Sequence, residues 1–170
     1  MENIGFIVPE ILLPKKTVDL SKWAVVACDQ FSSEPAYWDS VSQFVGEAPS
    51  TLKLTYPEAY LESDTGDERI RKINEAMNEC LQNGTLQSVG KGIIVVERHF
   101  SDPKKPPRKG LILAVDMECY DFSSGSVSLI RATEGTIQER IPPRVRIREN
   151  APIEFPHILI LIDDPTDSVM

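Results

Sequence analysis

The run ILILI at residues 158–162 is the segment around which the sheet of this chain is expected to form. Five consecutive aliphatic residues without a polar interruption are typical of a strand that is buried on both faces of a sheet. We therefore expect Ile158–Ile162 to be the central strand. The segment Thr166–Met170 offers no element that could cover it. A buried strand needs to be covered, and further chain would supply that cover. We therefore expect residues 1–170 to form a single domain that is the N-terminal portion of a longer protein.

Three further apolar runs predict strands upstream of this one. They are Lys22–Ala27 (KWAVVA), Gly92–Glu97 (GIIVVE) and Gly110–Glu118 (GLILAVDME). The turn-forming residues 122–126 (FSSGS) follow the last run, which indicates that Gly110–Ile130 forms a β-hairpin. Residues 101–109 (SDPKKPPRK) are rich in proline and lysine and are expected to be an exposed loop.

Two segments have the periodicity of amphipathic helices. The first is expected to begin after the N-cap Ser33 and to end at Gly46. The second has capping-box spacing from Thr65 and is expected to run to about Asn83. A third, short helix is expected to begin at Ile141-Pro142-Pro143. The inward faces of the two long helices are predicted to consist of Trp38, Val41 and Val45, and of Ile70, Ile73, Met77 and Leu81.

The order of these elements predicts an α/β fold of the mixed α+β kind. We expect a mixed sheet that contains a β-hairpin and is flanked by two to three helices. This arrangement differs from a regular repeat of strand, helix and strand, because the hairpin region lies between the helices and the central strand.

The basic residues are concentrated in the stretch Arg131–His157, which contains five arginines in a chain whose net charge is −8. Residues 131–148 carry +3, residues 149–170 carry −5, and no comparable basic cluster is expected elsewhere. A positive island in an acidic chain fits a small anion, because nucleic acid requires a broad basic face that neutralises many phosphates. We therefore expect a small anionic ligand and no nucleic-acid partner.

The three cysteines, Cys28, Cys80 and Cys119, are odd in number and far apart. This spacing argues against a disulfide framework and against a structural zinc site. The N-terminus has neither a basic segment nor a long apolar run, so we expect no signal peptide, no membrane partner and a cytoplasmic location.

The first part of the arginine stretch has the features of an anion site. Arg131, Arg140 and Arg144 lie near a glycine turn and near prolines that begin a helix, and both arginine forks and helix N-termini favour phosphate or carboxylate. Thr136 could supply a further hydrogen bond. The alternative is a solvated face that is paired with neighbouring glutamates, which we expect for Arg146 and Arg148.

Other polar residues near this stretch are weaker candidates. Glu134 is a candidate catalytic base or metal contact, and His157 is a candidate ligand contact or general acid, with a strand-end structural role as the alternative. Asp163 and Asp164 follow the predicted central strand and could hold Mg²⁺ or form a simple turn. No metal site is predicted among the histidines and cysteines, and we expect Cys28 to be buried and inert.

Two segments resemble the uncharacterised bacterial family called domain of unknown function 1015. Trp23–Leu61, with WAVVACDQFSSEPAYWDSV and GEAPSTLKLTYPEAYL, resembles the beginning of that family. Arg131–Asp164, with RATEGTIQERIPPRVRIRENAPIEFPHILILIDD, is similar to its middle part. Members are typically longer and carry a downstream Asp-Gly-His-His or Asp-Gly-Asn-His motif that this chain lacks.

The resemblance implies a distant similarity to partition-protein-B and sulfiredoxin-like folds, which include nucleotide-binding proteins and a free-serine kinase. It therefore implies a protein that binds a phosphate-bearing small molecule or a nucleotide with Mg²⁺, and that transfers phosphate when the chain is complete. The second reading is a non-catalytic regulatory or assembly module, either as a homodimer or packed against a C-terminal region. The residues leave open whether the protein is an enzyme.

Overall fold

A computed structural model describes residues 5–61, 66–121, 123–128, 130–131, 135, 137–155 and 157–161. The chain divides into two compact units. The helical unit comprises residues 14–87 and 136–159, and the strand unit comprises residues 1–13, 88–135 and 160–170. The expectation of a single domain stays a prediction.

The helical unit contains four α-helices and three single 3₁₀ turns within its described residues. The helices are α1 (Leu20–Trp23), α2 (Pro35–Val45), α3 (Gly66–Gln82) and α4 (Ile141–Arg148), and the 3₁₀ turns are Thr51–Leu54, Glu58–Tyr60 and Gln138–Arg140.

The two long helices confirm the predicted periodicity. In α2, Trp38 and Val45 are buried, and in α3 the buried face contains Ile70, Ile73 and Met77. The start of α2 differs by one residue from the prediction, because its N-cap is Glu34 and makes no side-chain capping bond. The core of this unit is completed by buried residues outside these two helices, namely Trp23, Leu54, Tyr56, Leu86 and Ile147.

The prediction of a strand at residues 22–27 is wrong. The side chain of Asp19 accepts a hydrogen bond from the Ser21 amide and thereby begins α1, which includes Lys22 and Trp23. The carbonyl of Trp23 then accepts bonds from the Thr51 hydroxyl at 2.8 Å and the Ser50 hydroxyl at 3.3 Å. The buried hydroxyl groups of Ser50 and Thr51 thus satisfy the Trp23 carbonyl, which in a sheet would accept a hydrogen bond from a neighbouring strand.

Eight short strands form four two-stranded sheets in the described part of the chain. The strands are β1 (Phe6–Ile7), β2 (Glu10–Pro14), β3 (Leu86–Lys91), β4 (Ile94–Arg98), β5 (Arg108–Ile112), β6 (Ala114–Val115), β7 (Tyr120–Asp121) and β8 (Ile130–Arg131). The pairs are β1 with β6, β2 with β3, β4 with β5, and β7 with β8. The mixed α/β class is therefore confirmed, with its strands arranged in pairs.

The predicted hairpin at residues 110–130 is replaced by a hairpin at residues 94–112. Strands β4 and β5 are antiparallel, with Ile94 opposite Ile112 and Arg98 opposite Arg108. The proline-rich loop is therefore the connection of this hairpin. A turn does occur at Ser123–Ser126, but it joins β7 and β8, which are parallel.

The run Ile158–Leu161 is not the buried central strand that its composition predicts. These four residues have no regular secondary structure and are between 38% and 89% exposed. A strand requires a hydrogen-bonded neighbour, and none of the described residues pairs with this segment. The prediction was wrong because the composition of a segment does not reveal whether another segment pairs with it.

Candidate functional site

A buried glutamate forms the base of the candidate site, which lies within the helical unit. Glu58 begins the 3₁₀ turn Glu58–Tyr60 after Pro57, and its side chain is 4% exposed. The backbone amide of Glu58 donates a hydrogen bond to the carbonyl of Cys28 at 2.8 Å. An ionised carboxylate at such depth needs a partner, because burial without one is energetically costly.

Two arginines of the predicted anion site supply that partner. Arg140 is the residue that immediately precedes α4, and Arg144 lies four positions later on the same side of the helix. The Arg144 guanidinium donates a hydrogen bond from Nη2 to Glu58 Oε1. Nη1 of Arg140 lies 3.0 Å from Glu58 Oε2 and forms an ion pair with it.

The Arg140 contact is electrostatic rather than a well-aligned hydrogen bond. Among the described residues, Glu58 Oε2 has no hydrogen-bond donor of suitable geometry although Arg140 is within ion-pair distance. We therefore treat Arg140 as a charge partner of Glu58, whereas Arg144 is both a charge partner and a hydrogen-bond donor.

The site carries an excess of one positive charge, because two arginines share one carboxylate. The Arg140 and Arg144 side chains are 40% and 45% exposed, so each guanidinium reaches from the buried carboxylate to solvent. Each guanidinium has five N–H donors. Nη1 of Arg140 and Nη2 of Arg144 are the nitrogens of the two ion pairs with Glu58. The arrangement can therefore accept an external anion on its solvent side.

Cys28 is a half-buried neighbour of this cluster. Burial raises the pKa of the Cys28 thiol, Asp29 and Glu58 raise it further, and the positive charge of Arg144 acts in the opposite direction. The thiol is therefore protonated at neutral pH. The expectation of an inert cysteine stays a prediction.

Arg146 and Arg148 occupy the exposed side of α4. Nη2 of Arg146 lies 2.5 Å from Asp67 Oδ1, and the Arg148 guanidinium binds both carboxylate oxygens of Glu154. All four side chains are at least 41% exposed. Arg148 is thus paired with a neighbouring glutamate as predicted, whereas the partner of Arg146 is a distant aspartate. Such surface pairs contribute little to stability.

The remaining predicted site residues are not brought to the Glu58 cluster by anything that the structure describes. Arg131 ends β8 in the strand unit, and His157 is exposed in the helical unit with its ring 6.2 Å from that of Phe155. Glu134 and Thr136 lie outside the described residues, as do Asp163 and Asp164.

The model of one protein family matches residues 12–170 of this chain, and its description is "Protein of unknown function (DUF1015)". The chain belongs to the DUF1015 family. No curated protein and no solved structure matches it. The family resemblance seen in the sequence is thus confirmed, whereas the similarity to partition-protein-B and sulfiredoxin-like folds stays a prediction.

The DUF1015 chain has a second basic cluster that the sequence analysis missed. The β4–β5 hairpin carries five basic residues and two acidic ones, a net charge of +3 that equals that of residues 131–148. Its cations form no salt bridge within the described residues, and Lys105 and Arg108 instead lie 5.9 Å from the ring centre of Phe100. The expectation that the arginine stretch has no counterpart is therefore wrong.

A shallow depression of about 340 Å³ lies on α3 of this DUF1015 protein. It is lined by Arg71, Asn74 and Asn150 among others. Arg71 is already paired with Glu68 and Glu75, and these carboxylates neutralise its charge, so it is poorly suited to bind an anion.

Among the described residues, no group of three histidine, cysteine or acidic side chains is placed to hold a metal ion. The same residues include no helix that is long and apolar enough to cross a membrane.

Proposed function

We propose that this DUF1015 chain binds a phosphate-bearing small molecule, and that Arg140 and Arg144 hold its phosphate. The observation that carries the proposal is the convergence of both guanidinium groups on the buried carboxylate of Glu58. Two cations against one anion leave a net positive charge beside solvent, in a chain whose net charge is −8. That charge favours small anions over cations.

Glu58 supports the proposal because it fixes both arginines before a ligand arrives. A free arginine side chain loses about 2 kcal/mol of rotamer entropy when it is ordered. At this site the carboxylate and α4 already restrict both side chains, so a bound phosphate orders less. Arginine also matches phosphate geometry with paired N–H donors.

On the basis of the sequence alone, the proposal also includes three further ligand contacts, Arg131, Thr136 and His157. It includes Glu134 as the candidate base on the same basis. A phosphotransferase activity, a nucleotide with Mg²⁺ as its cofactor and a cytoplasmic location belong to the same proposal. Catalysis of phosphoryl transfer is mainly positioning and electrostatic stabilisation, for which arginines are suitable.

The test is calorimetric titration of the protein with pyrophosphate, ADP and ATP. Arg140→Ala and Arg144→Ala should each weaken pyrophosphate binding by roughly 10- to 100-fold, since a hydrogen bond to a charged group contributes about 1.5–3 kcal/mol. Arg148→Ala is the matched control, because its guanidinium belongs to a surface pair on the same helix. Unchanged affinity in both test variants would overturn the assignment.

A second candidate function is assembly, and the β4–β5 hairpin favours it. In this hairpin Arg98 stands opposite Arg108, a like-charge pair that is unfavourable unless an acidic surface lies nearby. The hairpin carries +3 and the remainder of the chain carries −11. A second copy of the chain therefore offers the complementary charge, and the alternative proposal is that the hairpin docks on it.

Light scattering at low and high salt tests this alternative. Self-association through the hairpin should give a dimer or larger species that dissociates as salt screens the charges. The double variant Lys104→Glu, Lys105→Glu should remove it, while Arg146→Glu, which changes the same kind of charge on α4, should not. A size that does not depend on salt or on these substitutions would count against assembly.

A further inference from the structure

Phe31 is the one described residue other than glycine with a positive φ, at +51°. This backbone region disfavours residues with a bulky side chain, and such conformations persist where the surroundings enforce them, often at functional sites. Here the enforcement is visible. The carbonyl of Phe31 accepts hydrogen bonds from the Glu34 amide at 3.0 Å and from the Trp38 indole at 3.3 Å.

The turn holds the Phe31 ring at the outer end of a stack of three aromatic rings. The ring of Phe31 lies parallel to that of Tyr37 at 4.0 Å, and Tyr37 meets the ring of Trp38 edge-on at 5.4 Å. Trp38 is 1% exposed and belongs to the core, whereas Phe31 is 41% exposed. An aromatic ring that packs on Tyr37 is thus presented to solvent.

The turn at Phe31 is connected to the arginine site through Cys28. The carbonyl of Cys28 accepts the hydrogen bond from the Glu58 amide at 2.8 Å, and Phe31 is only three residues beyond Cys28. Three residues span at most about 11 Å, so the Phe31 backbone lies within that distance of Cys28. Phe31 is thus linked to the Glu58 cluster through the hydrogen bond between Cys28 and Glu58.

We propose that Phe31 is the base-stacking residue of a nucleotide subsite, so that the ligand class is a nucleoside phosphate. This inference rests on the proposed binding of phosphate by Arg140 and Arg144. A base stacks on the ring of Phe31, which Tyr37 supports from the opposite side, and the phosphate lies on the two guanidinium groups. Stacking on an aromatic side chain tolerates any base, because each base has a π-face.

The experiment compares ADP with pyrophosphate by calorimetry on the full chain. Phe31→Gly should weaken ADP binding by roughly tenfold, since stacking on one aromatic ring has about this effect, and should leave pyrophosphate binding unchanged. Glycine adopts positive φ without strain, which offsets part of the stability that is lost with the ring. Phe31→Trp retains a ring and should preserve ADP affinity.

The possible outcomes distinguish a failure of the stacking assignment from a failure of the phosphate site. Pyrophosphate binding that depends on the arginines, together with an ADP affinity that is the same in Phe31→Gly as in the natural chain, would overturn the stacking assignment alone. Absence of pyrophosphate and ADP binding in the natural chain would overturn the phosphate site, and the base subsite with it. Loss confined to ADP in Phe31→Gly, with recovery in Phe31→Trp, supports both.

Discussion

Glu58 and Arg140, which are 82 positions apart in the sequence, form an ion pair of 3.0 Å in which the carboxylate is 4% exposed and the guanidinium 40%. The difference in exposure gives the two groups different roles. Glu58 serves as an internal counter-charge that positions the cation, and Arg140 remains accessible to solvent. With Arg144 on the same carboxylate, the pair becomes a cluster with one positive charge in excess.

Substitution of Glu58, the counter-charge, should affect the free energy of unfolding and the affinity for pyrophosphate differently. Glu58→Gln leaves Arg140 and Arg144 without a carboxylate, so the free energy of unfolding should fall by about 1–3 kcal/mol in urea titrations. Pyrophosphate affinity should change less than stability, because the added positive charge favours binding whereas loss of the carboxylate frees the two arginine side chains, which disfavours it. Glu154→Gln removes only the surface partner of Arg148 and should change stability by less than about 1 kcal/mol. Equal stability losses in the two variants would contradict the buried role of Glu58.

The reactivity of Cys28 reports on the charge of the cluster. Its folded-state pKa is raised above 9.0, chiefly by burial, so alkylation by iodoacetamide in the native state should be slow at neutral pH and should accelerate only above about pH 9. Arg144→Ala removes a charge that lowers this pKa, so it should slow alkylation further. Site-resolved mass spectrometry measures the rate, with Arg148→Ala as the control. Faster alkylation in Arg144→Ala would refute the electrostatic relation.

The same thiol contributes to the pH dependence of stability. A folded pKa above the unfolded value means that the folded state retains the proton more strongly, so this contribution is fully present below about pH 9 and is lost as pH rises above it. Cys28→Ser should therefore flatten the decline of the free energy of unfolding in that alkaline range. An equally steep decline in the variant would show that other groups cause it.

The glycine that ends α2 is required by its backbone conformation. Gly46 has φ +56° and ψ −134°, a combination that residues with a Cβ rarely adopt. An added Cβ would lie 4.0 Å from the Gln43 carbonyl oxygen, so Gly46→Ala meets no steric clash. The expected loss of about 1–3 kcal/mol in urea unfolding is therefore conformational. Gly66→Ala at the start of α3 is the control and should be neutral or slightly stabilising.

The sequence predicted those parts of the fold that depend on local pattern. The buried faces of α2 and α3 and the stop at Gly46 follow from residue spacing and from the properties of glycine. The failures depend on pairing between distant segments. Ile158–Leu161 has the composition of a buried strand but no neighbour among the described residues, and the region 22–27 is held by the hydroxyl groups of Ser50 and Thr51.

Prediction of the candidate site from the sequence was limited in the same way, by contacts between distant segments. The four-residue spacing of Arg140 and Arg144, which predicts one helical face, was visible in the sequence. Glu58 was not identified, because an isolated glutamate after a proline carries no local sign of burial. Phe31 was missed for a similar reason, since positive φ in a residue other than glycine is imposed by its hydrogen-bond partners.

The most direct test of the phosphate site compares two double variants that remove the same number of charges from α4 and the residue that precedes it. Pyrophosphate affinity is measured by calorimetry for Arg140→Gln, Arg144→Gln and for Arg146→Gln, Arg148→Gln. The site described above predicts that the first variant loses binding by at least about 100-fold. It predicts that the second loses only the few-fold expected from a lower overall charge. Equal losses in the two variants would contradict a specific site at Glu58.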